Sequence, residues 1–309
     1  MAINKLEFST ILMTKLDQHV LHGATTNWME NNAGQVKYNG GNEVKIPTMS
    51  TTGLGDYDRD KGFAQGSVTL SYETYKMTQD RGRTFHLDRM DVDETNFVAN
   101  ATSVMGVFQT EQVIPEIDSY RYSTIASILA GTEQTYEETI TADNVYTKLV
   151  TDIRKIQNQI GGDKPLVITI SYEALAALED SDKYQRHIRV DEFNSGGIRF
   201  SVKSFDGHAV IPVPSARFKT KYDILDGVTG GQEQGGLKPA TGAKDINWII
   251  STQTAPIAIS KTDKVRIFTP DENQDADAWK LDYRKYHDLW NLKNKQNQLF
   301  VCTAKGVEA

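Results

Sequence analysis

Hydrophobic and polar positions alternate along three short runs in residues 41–90, which is the pattern of β-strands. A polar stretch rich in glycine and charged residues, 51–66, separates the first run from the second. The pattern predicts a long, protruding β-hairpin. An isolated two-stranded hairpin is marginal in water, so we expect a neighbouring copy of the chain to hold it. The alternating residues are Val44 and Ile46, then Val68, Leu70 and Tyr72, then Phe85 and Leu87.

The segment before the hairpin combines two patterns. Hydrophobic residues recur at helical spacing over 8–20, which predicts an amphipathic helix. Residues 27–41 are rich in asparagine and glycine and predict an irregular arm.

Helical periodicity returns after the hairpin. The pattern over 97–108 predicts a long helix that Pro115 stops or kinks before a second helix continues. Another apolar stripe over 145–160 predicts a third helix, with Asp143 as its cap and Gly161 at its end.

From Pro165 onward the pattern changes to short strands. A continuous apolar run at 166–170 predicts a buried strand, and Ser171 caps a short helix after it. Mixed strands follow, up to a glycine-rich loop at 227–242. Because strands on both sides of this lobe would complete the helical part, 161–244 is interpreted as an insertion.

Composition excludes several classes of protein. The chain has 309 residues, 39% hydrophobic and 24% charged, which is typical of a globular protein. No apolar run approaches the roughly 20 residues of a membrane span, and the first residues do not resemble a secretion signal. The single cysteine, Cys302, fits a reducing compartment. A net charge of −7 argues against broad nucleic-acid binding.

One acidic loop resembles a calcium-binding sequence. Asp271, Asn273, Asp275 and Asp282 stand at positions one, three, five and twelve of that spacing. Ala276 occupies the place of the glycine that the sharp turn needs, and Asp282 is shorter than the usual glutamate. These departures favour a solvated acidic loop over a metal site.

The other candidates for chemistry also favour structural interpretations. Asp91, Asp93 and Glu94 suit the positive end of a helix better than acid-base catalysis. The six histidines show no tight metal spacing, and His287 lies among aromatic residues as a packed or surface group. Cys302 is interpreted as a small buried hydrophobic residue. We therefore predict no catalytic, cofactor-binding or metal-binding residue.

Several separated blocks resemble one family. They are IPTMSTTGLGDYDRDKGF, DRGRTFHLDRMDVDET, VIPEIDSYRYSTIA, FDGHAVIPVP, DKVRIFTPDENQDADAW and YRKYHDLW. In this order they resemble the major capsid proteins of tailed bacteriophages with the Hong Kong 97-type fold. The resemblance covers nearly the whole chain.

The resemblance implies an α+β capsid fold with a long spine helix. Its parts would be an N-terminal arm at 1–45, an extended loop (E-loop) at 46–88, a peripheral (P) domain at 89–160 and 245–309, and an axial (A) domain at 161–244.

The resemblance also implies a function. The chain would self-assemble as pentamers and hexamers into an icosahedral head that encloses double-stranded DNA without sequence-specific binding. Loops of the axial domain, including 227–242, would meet around the fivefold and sixfold axes. The chain has no long charged helical N-terminal extension, so we expect a separate scaffolding protein, together with a portal. Assembly would take place in the cytoplasm of a bacterial host, and the mature protein would reside in the virion.

Contacts between subunits are expected around the hairpin, and they would not include a covalent crosslink. Lys61 could donate to a crosslink of the kind some relatives form, but no matching asparagine or catalytic acid is recognisable. The expected contact residues are Leu54, Tyr57, Arg59, Lys61, Phe63, Arg81 and Arg83.

Two alternatives to a viral capsid stay open at this point. The first is an encapsulin-like compartment, which shares the fold and holds cargo enzymes. The second, from another class, is a metal-assisted hydrolase that uses the Asp271 loop or the acids around Asp91.

Overall fold

A computed structural model describes most of the chain. The described residues are 23–35, 37–38, 42–60, 62–90, 104–162, 164–182, 188–195 and 198–306. Four sequence predictions lie wholly or partly outside them: the helix at 8–20, Lys61, the acidic group Asp91, Asp93 and Glu94, and residues 97–103 of the predicted long helix.

The described residues include fifteen strands and three α-helices that are described from end to end. The strands are β1 (Lys37–Tyr38), β2 (Glu43–Thr51), β3 (Val68–Lys76), β4 (Gln79–Asp88), β5 (Thr135–Glu138), β6 (Leu166–Ser171), β7 (Ile188–Ser195), β8 (Ile198–Phe205), β9 (His208–Val213), β10 (Tyr222–Leu225), β11 (Gly236–Pro239), β12 (Ile246–Thr252), β13 (Pro256–Phe268), β14 (Ala278–Asn291) and β15 (Leu299–Ala304). The α-helices are α1 (Ile114–Leu129), α2 (Val145–Ile160) and α3 (Tyr172–Glu179). Short 3-10 helices span Asn27–Gln35, Ser215–Arg217 and Lys293–Gln298.

The largest sheet has seven strands in the order β5-β15-β12-β6-β9-β8-β7. Every residue of β6 and β12 is buried, as the continuous apolar run at 166–170 predicts. Alternate side chains point to opposite faces of the sheet, so Trp248 packs with α2 and α3 while its neighbour Ile249 packs with α1. Three layers result, with the sheet between helices.

A second sheet has the order β13-β14-β4 and is built on two long antiparallel strands. β4 pairs with β14 over its whole length, from Asp88 opposite Ala278 to Gln79 opposite His287. The predicted hairpin is therefore shorter than expected, because Phe85 and Leu87 belong to this sheet. The chain leaves the hairpin at Thr78, whose backbone N–H and hydroxyl both donate to Asp288.

The asparagine-rich arm at 27–41 is more regular than predicted. Residues Asn27–Gln35 form a 3-10 helix, followed by the short strand β1. The buried side chains of Trp28 and Met29 anchor this helix in the core, and Asn32 donates to the backbone oxygens of Gln253 and Pro256. These partners lie more than 200 residues away, so local composition does not reveal them.

Pro115 does not interrupt the long helix. Residues 104–108 are helical, Gln109–Val113 form a π-helical turn, and α1 continues directly from it. The Ile114 N–H bonds to the Gln109 oxygen, five residues back. This widened turn directly precedes Pro115, so the proline, which lacks an N–H, is accommodated by a local π-helical turn rather than by a break in the helix.

Helix α2 confirms the predicted stripe, with Leu149 and Ile156 buried, and Gly161 ends the helix at φ 87°. The predicted cap is wrong, because Asn144 rather than Asp143 stands at that position. The Asn144 side chain stabilises the preceding turn by accepting from the Thr141 N–H at 2.9 Å.

The division into peripheral and axial domains remains a prediction. The seven-stranded sheet contains strands from both predicted domains. β5, β12 and β15 lie outside 161–244 and pair with one another, and β12 also pairs with β6, which lies inside that range. Among the residues that the structure describes, no helix is long and apolar enough to cross a membrane.

Candidate functional site

The hairpin of β2 and β3 is anchored at its base. Val44 and Ile46 are fully buried and pack with Ile257, Tyr286 and Trp290 of the long sheet. This contact buries apolar surface that a free ribbon would leave in water. The base of the hairpin is thus part of the core of its own subunit.

Beyond the base, the apolar side chains lie on the opposite face of the hairpin. Residues paired across two strands share a face, and Met49 pairs with Leu70 while Pro47 pairs with Tyr72. Ile46 is one residue away from Pro47 and so points to the other face. Met49, Leu70 and Tyr72 are 65%, 53% and 48% exposed. The long sheet packs on the face of the hairpin that carries Val44 and Ile46. It therefore cannot cover the apolar side chains of the outer half, which lie on the other face.

The tip of the hairpin also carries exposed apolar side chains. Leu54 is fully exposed and Phe63 is 87% exposed. The rings of Tyr57 and Phe63 lie 4.9 Å apart, and two backbone hydrogen bonds between Asp58 and Gly62 close the turn. The tip is thus ordered by its own contacts while its apolar groups face solvent. Arg59 is exposed in the same turn.

Arg81 and Arg83, which the sequence predicts as contacts between subunits, have partners within their own subunit. Arg81 forms an ion pair with Glu116 of α1 and donates to the Leu225 oxygen at 3.1 Å. Arg83 donates to the Glu233 oxygen at 3.0 Å. Both arginines hold the glycine-rich loop against β4. Their role between subunits remains a prediction.

The glycine-rich loop is a defined structure. Asp226 accepts the N–H groups of Val228 and Thr229 and the Thr229 hydroxyl. The Thr229 hydroxyl and these N–H groups lower the pKa of Asp226 to about 2. Gly227 has a φ of 76°, and a Cβ there would lie 2.9 Å from the Arg83 guanidinium. The positive φ favours glycine at this position, and the Arg83 guanidinium would have to shift to admit a side chain.

The four residues at calcium-loop spacing do not converge on one point. Asp275 pairs with Lys280 at 2.9 Å, which lowers the pKa of the Asp275 carboxyl. Asp271 lies 3.9 Å from Arg89, and Asp282 lies within strand β14. Within the described ranges, no group of three or more histidines, cysteines or acids could hold a metal ion.

His287 and Cys302 are both buried. Burial, with the nearby Arg121 and Lys285, holds the pKa of His287 well below its ordinary value, and its ring packs edge-on against Tyr120. Burial raises the pKa of the Cys302 thiol to about 12. The predicted placement of Cys302 as a small buried residue is confirmed.

Sequence reasoning missed a buried polar cluster on α1. Asp118 accepts the backbone N–H and hydroxyl groups of both Thr25 and Thr26. Burial opposes ionisation of Glu30, but Arg121 and Lys285 more than offset it, so the pKa of Glu30 lies below its ordinary value. The available signal was that Asp118 lies on the buried stripe of a helix, where a charge needs partners.

Comparison of the fold with known structures identifies its type. No protein-family model matches the chain, and no curated protein matches it in sequence. The capsid structure of the cyanophage P-SCSP1u is similar at a TM-score of 0.57 and 10% identity, over 88% of this chain and 86% of that chain. The mature capsid of bacteriophage PhiM1 is similar at a TM-score of 0.56 and 14% identity, over 87% of this chain and 84% of that chain.

A virus-like particle from an archaeal source has a similar fold. The virus-like particle from Pyrococcus furiosus is similar at a TM-score of 0.53 and 10% identity, over 97% of this chain and all of that chain, 100%. The fold is therefore the Hong Kong 97-type capsid fold, which confirms the α+β prediction. Identities this low establish the fold alone.

Proposed function

We propose that this chain is a major capsid protein that self-assembles into a closed shell. The observation that carries the proposal is the exposed apolar face on the outer half of the hairpin, formed by Pro47, Met49, Val68, Leu70 and Tyr72. A neighbouring subunit would bury this face. The likeness of the fold to the capsids of P-SCSP1u and PhiM1 supports the same conclusion.

A shell of this kind is stabilised by many modest contacts. Each hairpin buries a small apolar area on its neighbour, and closure of the shell makes every further contact intramolecular. The role is structural rather than catalytic. It requires exposed surfaces that match between copies, and the hairpin provides one.

The finer arrangement follows from the same proposal. Pentamers and hexamers would form an icosahedral head, with the E-loop at 46–88 reaching an adjacent subunit and the axial domain at 161–244 near the symmetry axes. A separate scaffolding protein and a portal would take part in assembly. The acidic chain would enclose double-stranded DNA without sequence-specific binding. A net charge of −7 also opposes tight binding to the DNA phosphates. The shell would assemble in the bacterial cytoplasm and remain in the virion.

The contact residues divide into two groups. Leu54, Tyr57 and Phe63 would supply apolar contacts at the tip, with Arg59 and Lys61 beside them. Arg81 and Arg83 hold the glycine-rich loop against β4 in their own subunit, so we propose that they fix this loop beside a contact between subunits rather than reach across it.

A second candidate function is a cellular compartment of the encapsulin kind. The similarity to the Pyrococcus furiosus particle over the whole of that chain favours it. The two candidates differ in what the shell contains, namely viral DNA or cargo enzymes.

The test is negative-stain electron microscopy of the purified protein, alone and co-expressed with its neighbouring genes. Closed shells, tubes or rings are expected, and nuclease-protected DNA or packaged enzymes would then separate the two candidates. A monodisperse small oligomer under both conditions would contradict the proposal. Chelator-sensitive hydrolase activity in that oligomer would favour the metal-assisted enzyme instead.

A further inference from the structure

The π-helical turn Gln109–Val113 buries a polar side chain that has nothing to bond with. Gln109 is wholly buried, at 0% exposure. Among the residues that the structure describes, neither the amide nitrogen nor the amide oxygen of Gln109 has a hydrogen-bond partner. Such a side chain has given up its bonds to water and gained none in return, which destabilises the conformation that contains it.

The same part of the helix leaves an apolar side chain in solvent. Val107 is 54% exposed, whereas Met105, two residues earlier, is 0% exposed and belongs to the apolar cluster with Val265 and Leu281 of the long sheet. A buried glutamine beside an exposed valine reverses the usual preference of both residue types.

Both features come from the one extra residue that the π-turn contains. Ile114, Ile117 and Ile125 mark the buried face of α1. An α-helix turns by about 100° per residue, so an uninterrupted helix would continue this face at positions 107, 110 and 111. The widened turn shifts the facing by one residue and places Met105 and Gln109 there instead.

Two registers of this helix therefore compete, where the register is the set of residues that faces the core. The described register buries Met105 but leaves Gln109 without bonds and Val107 in solvent. A continuous α-helix would bury Val107 and return Gln109 to water, but it would expose Met105 and bring Glu111 beside the apolar face. Neither register suits every residue, which is the property of an element with two states.

We propose that the π-turn is a two-state joint, at which residues 104–108 rotate by about 100° about the helix axis between the described register and a continuous α-helix. The α1 side of the joint is fixed, because Asp118 accepts four hydrogen bonds from Thr25 and Thr26. In a shell, rings of five and of six subunits require slightly different subunit shapes, and two registers would supply them. This use rests on the proposed function, whereas the exchange itself is a property of the free subunit.

Thiol labelling of the free subunit tests the exchange. The native Cys302 is buried in the core, so we expect it to label only when the whole subunit unfolds, and it serves as the internal reference. Met105→Cys should label faster than Cys302 by about tenfold or more, because rotation carries position 105 to the solvent side. Val107→Cys is the accessible control and should label rapidly. Labelling of Met105→Cys no faster than Cys302 would show a single register and overturn the proposal.

Deletion of Glu111 separates rotation from fraying of the helix. Glu111 is an exposed residue of the π-turn, and its removal takes out the extra residue. A continuous α-helix then keeps Met105 on the buried side, so rotation is no longer favoured. In this background Met105→Cys should slow to the rate of Cys302. Labelling that stays fast after the deletion would mean that the helix opens by fraying and would contradict the joint.

A substitution pair at Gln109 tests the balance between the registers. Gln109→Met replaces the amide by an apolar group of similar length, so it should favour the described register and slow labelling of Met105→Cys by about tenfold. Gln109→Glu is matched in shape but adds a charge, and it should speed the same labelling relative to Cys302. Equal rates in the two variants would refute the proposal. Exchange in a subunit that forms no shell would support the joint and remove only its use in assembly.

Discussion

The seven-stranded sheet and the outer half of the hairpin are both rich in hydrophobic strand residues, yet only those of the sheet are buried within the subunit. Both faces of β6 and β12 are covered by helices of the same chain. The outer hairpin exposes Met49 and Leu70 instead. A β-rich pattern therefore predicts a strand, while burial shows whether the subunit or an assembly completes it.

The largest loss of stability is expected for a residue at the centre of the seven-stranded sheet. Trp248 is fully buried, and its indole N–H donates to Asp152 at 3.0 Å. Trp248→Ala should lower the free energy of unfolding of the free subunit by about 3–5 kcal/mol, because it leaves a cavity and removes one of the donors to the buried Asp152 carboxyl. Urea denaturation measures the loss. A loss below about 1 kcal/mol would show that the sheet is not the stable part of the subunit.

The second prediction concerns the base of the hairpin, which behaves like core. Ile46 is 1% exposed and packs on the long sheet. Ile46→Ala should cost about 2–4 kcal/mol in the same denaturation experiment. Thr48→Ala, on the same face two residues further out, is the control and should change stability by less than about 1 kcal/mol. Equal effects would remove the distinction between base and outer half.

The third prediction concerns pH and the long sheet that supports the hairpin. His287 is buried and its pKa lies well below the ordinary value, so the folded state resists protonation while the unfolded state accepts a proton. The stability contributed by neutral His287 is complete above about pH 6.5 and is lost as pH falls, by about 1.4 kcal/mol per pH unit while the folded ring stays neutral.

His287→Gln should flatten this dependence. Denaturation of the free subunit at pH 7.0, 6.0 and 5.0 measures it for both proteins. Identical slopes for wild type and variant would show that His287 does not control the acid response.

The smallest effect on folding is expected in the outer hairpin. Leu70 is exposed in the subunit, so Leu70→Ser should change the free energy of unfolding by less than about 0.5 kcal/mol. The same change should sharply reduce the yield of shells, because it puts a hydroxyl into the proposed contact. Sedimentation of assembly mixtures measures the yield. Destabilisation of the free subunit comparable to Ile46→Ala would mean that Leu70 is buried within its own chain.

Local patterns predicted the parts of the fold that local contacts determine. The stripe of α2, the buried run of β6 and the Ser171 cap, which accepts the Ala174 N–H at 3.1 Å, are confirmed. These features follow from periodicity and capping within a few residues.

Long-range partners set the limit of prediction. The alternation of Phe85 and Leu87 indicates a strand but not that it pairs with β14, nearly 200 residues later. The packing of the glycine-rich loop on Arg83 likewise depends on contacts that composition does not show. At the candidate site the sequence indicated the exposed tip residues, but the change of apolar face between Ile46 and Pro47 needs the strand register.

The most direct test of the account replaces the hairpin tip and asks separately about folding and assembly. Thr52 and Ser67 are joined by a backbone hydrogen bond, so residues 53–66 can be exchanged for Asn-Gly, the two-residue turn that suits such a pair. We expect a subunit whose free energy of unfolding stays within about 1 kcal/mol of wild type and which no longer builds closed shells in electron micrographs. Normal shells from this variant would contradict the assignment of the hairpin to the neighbouring subunit.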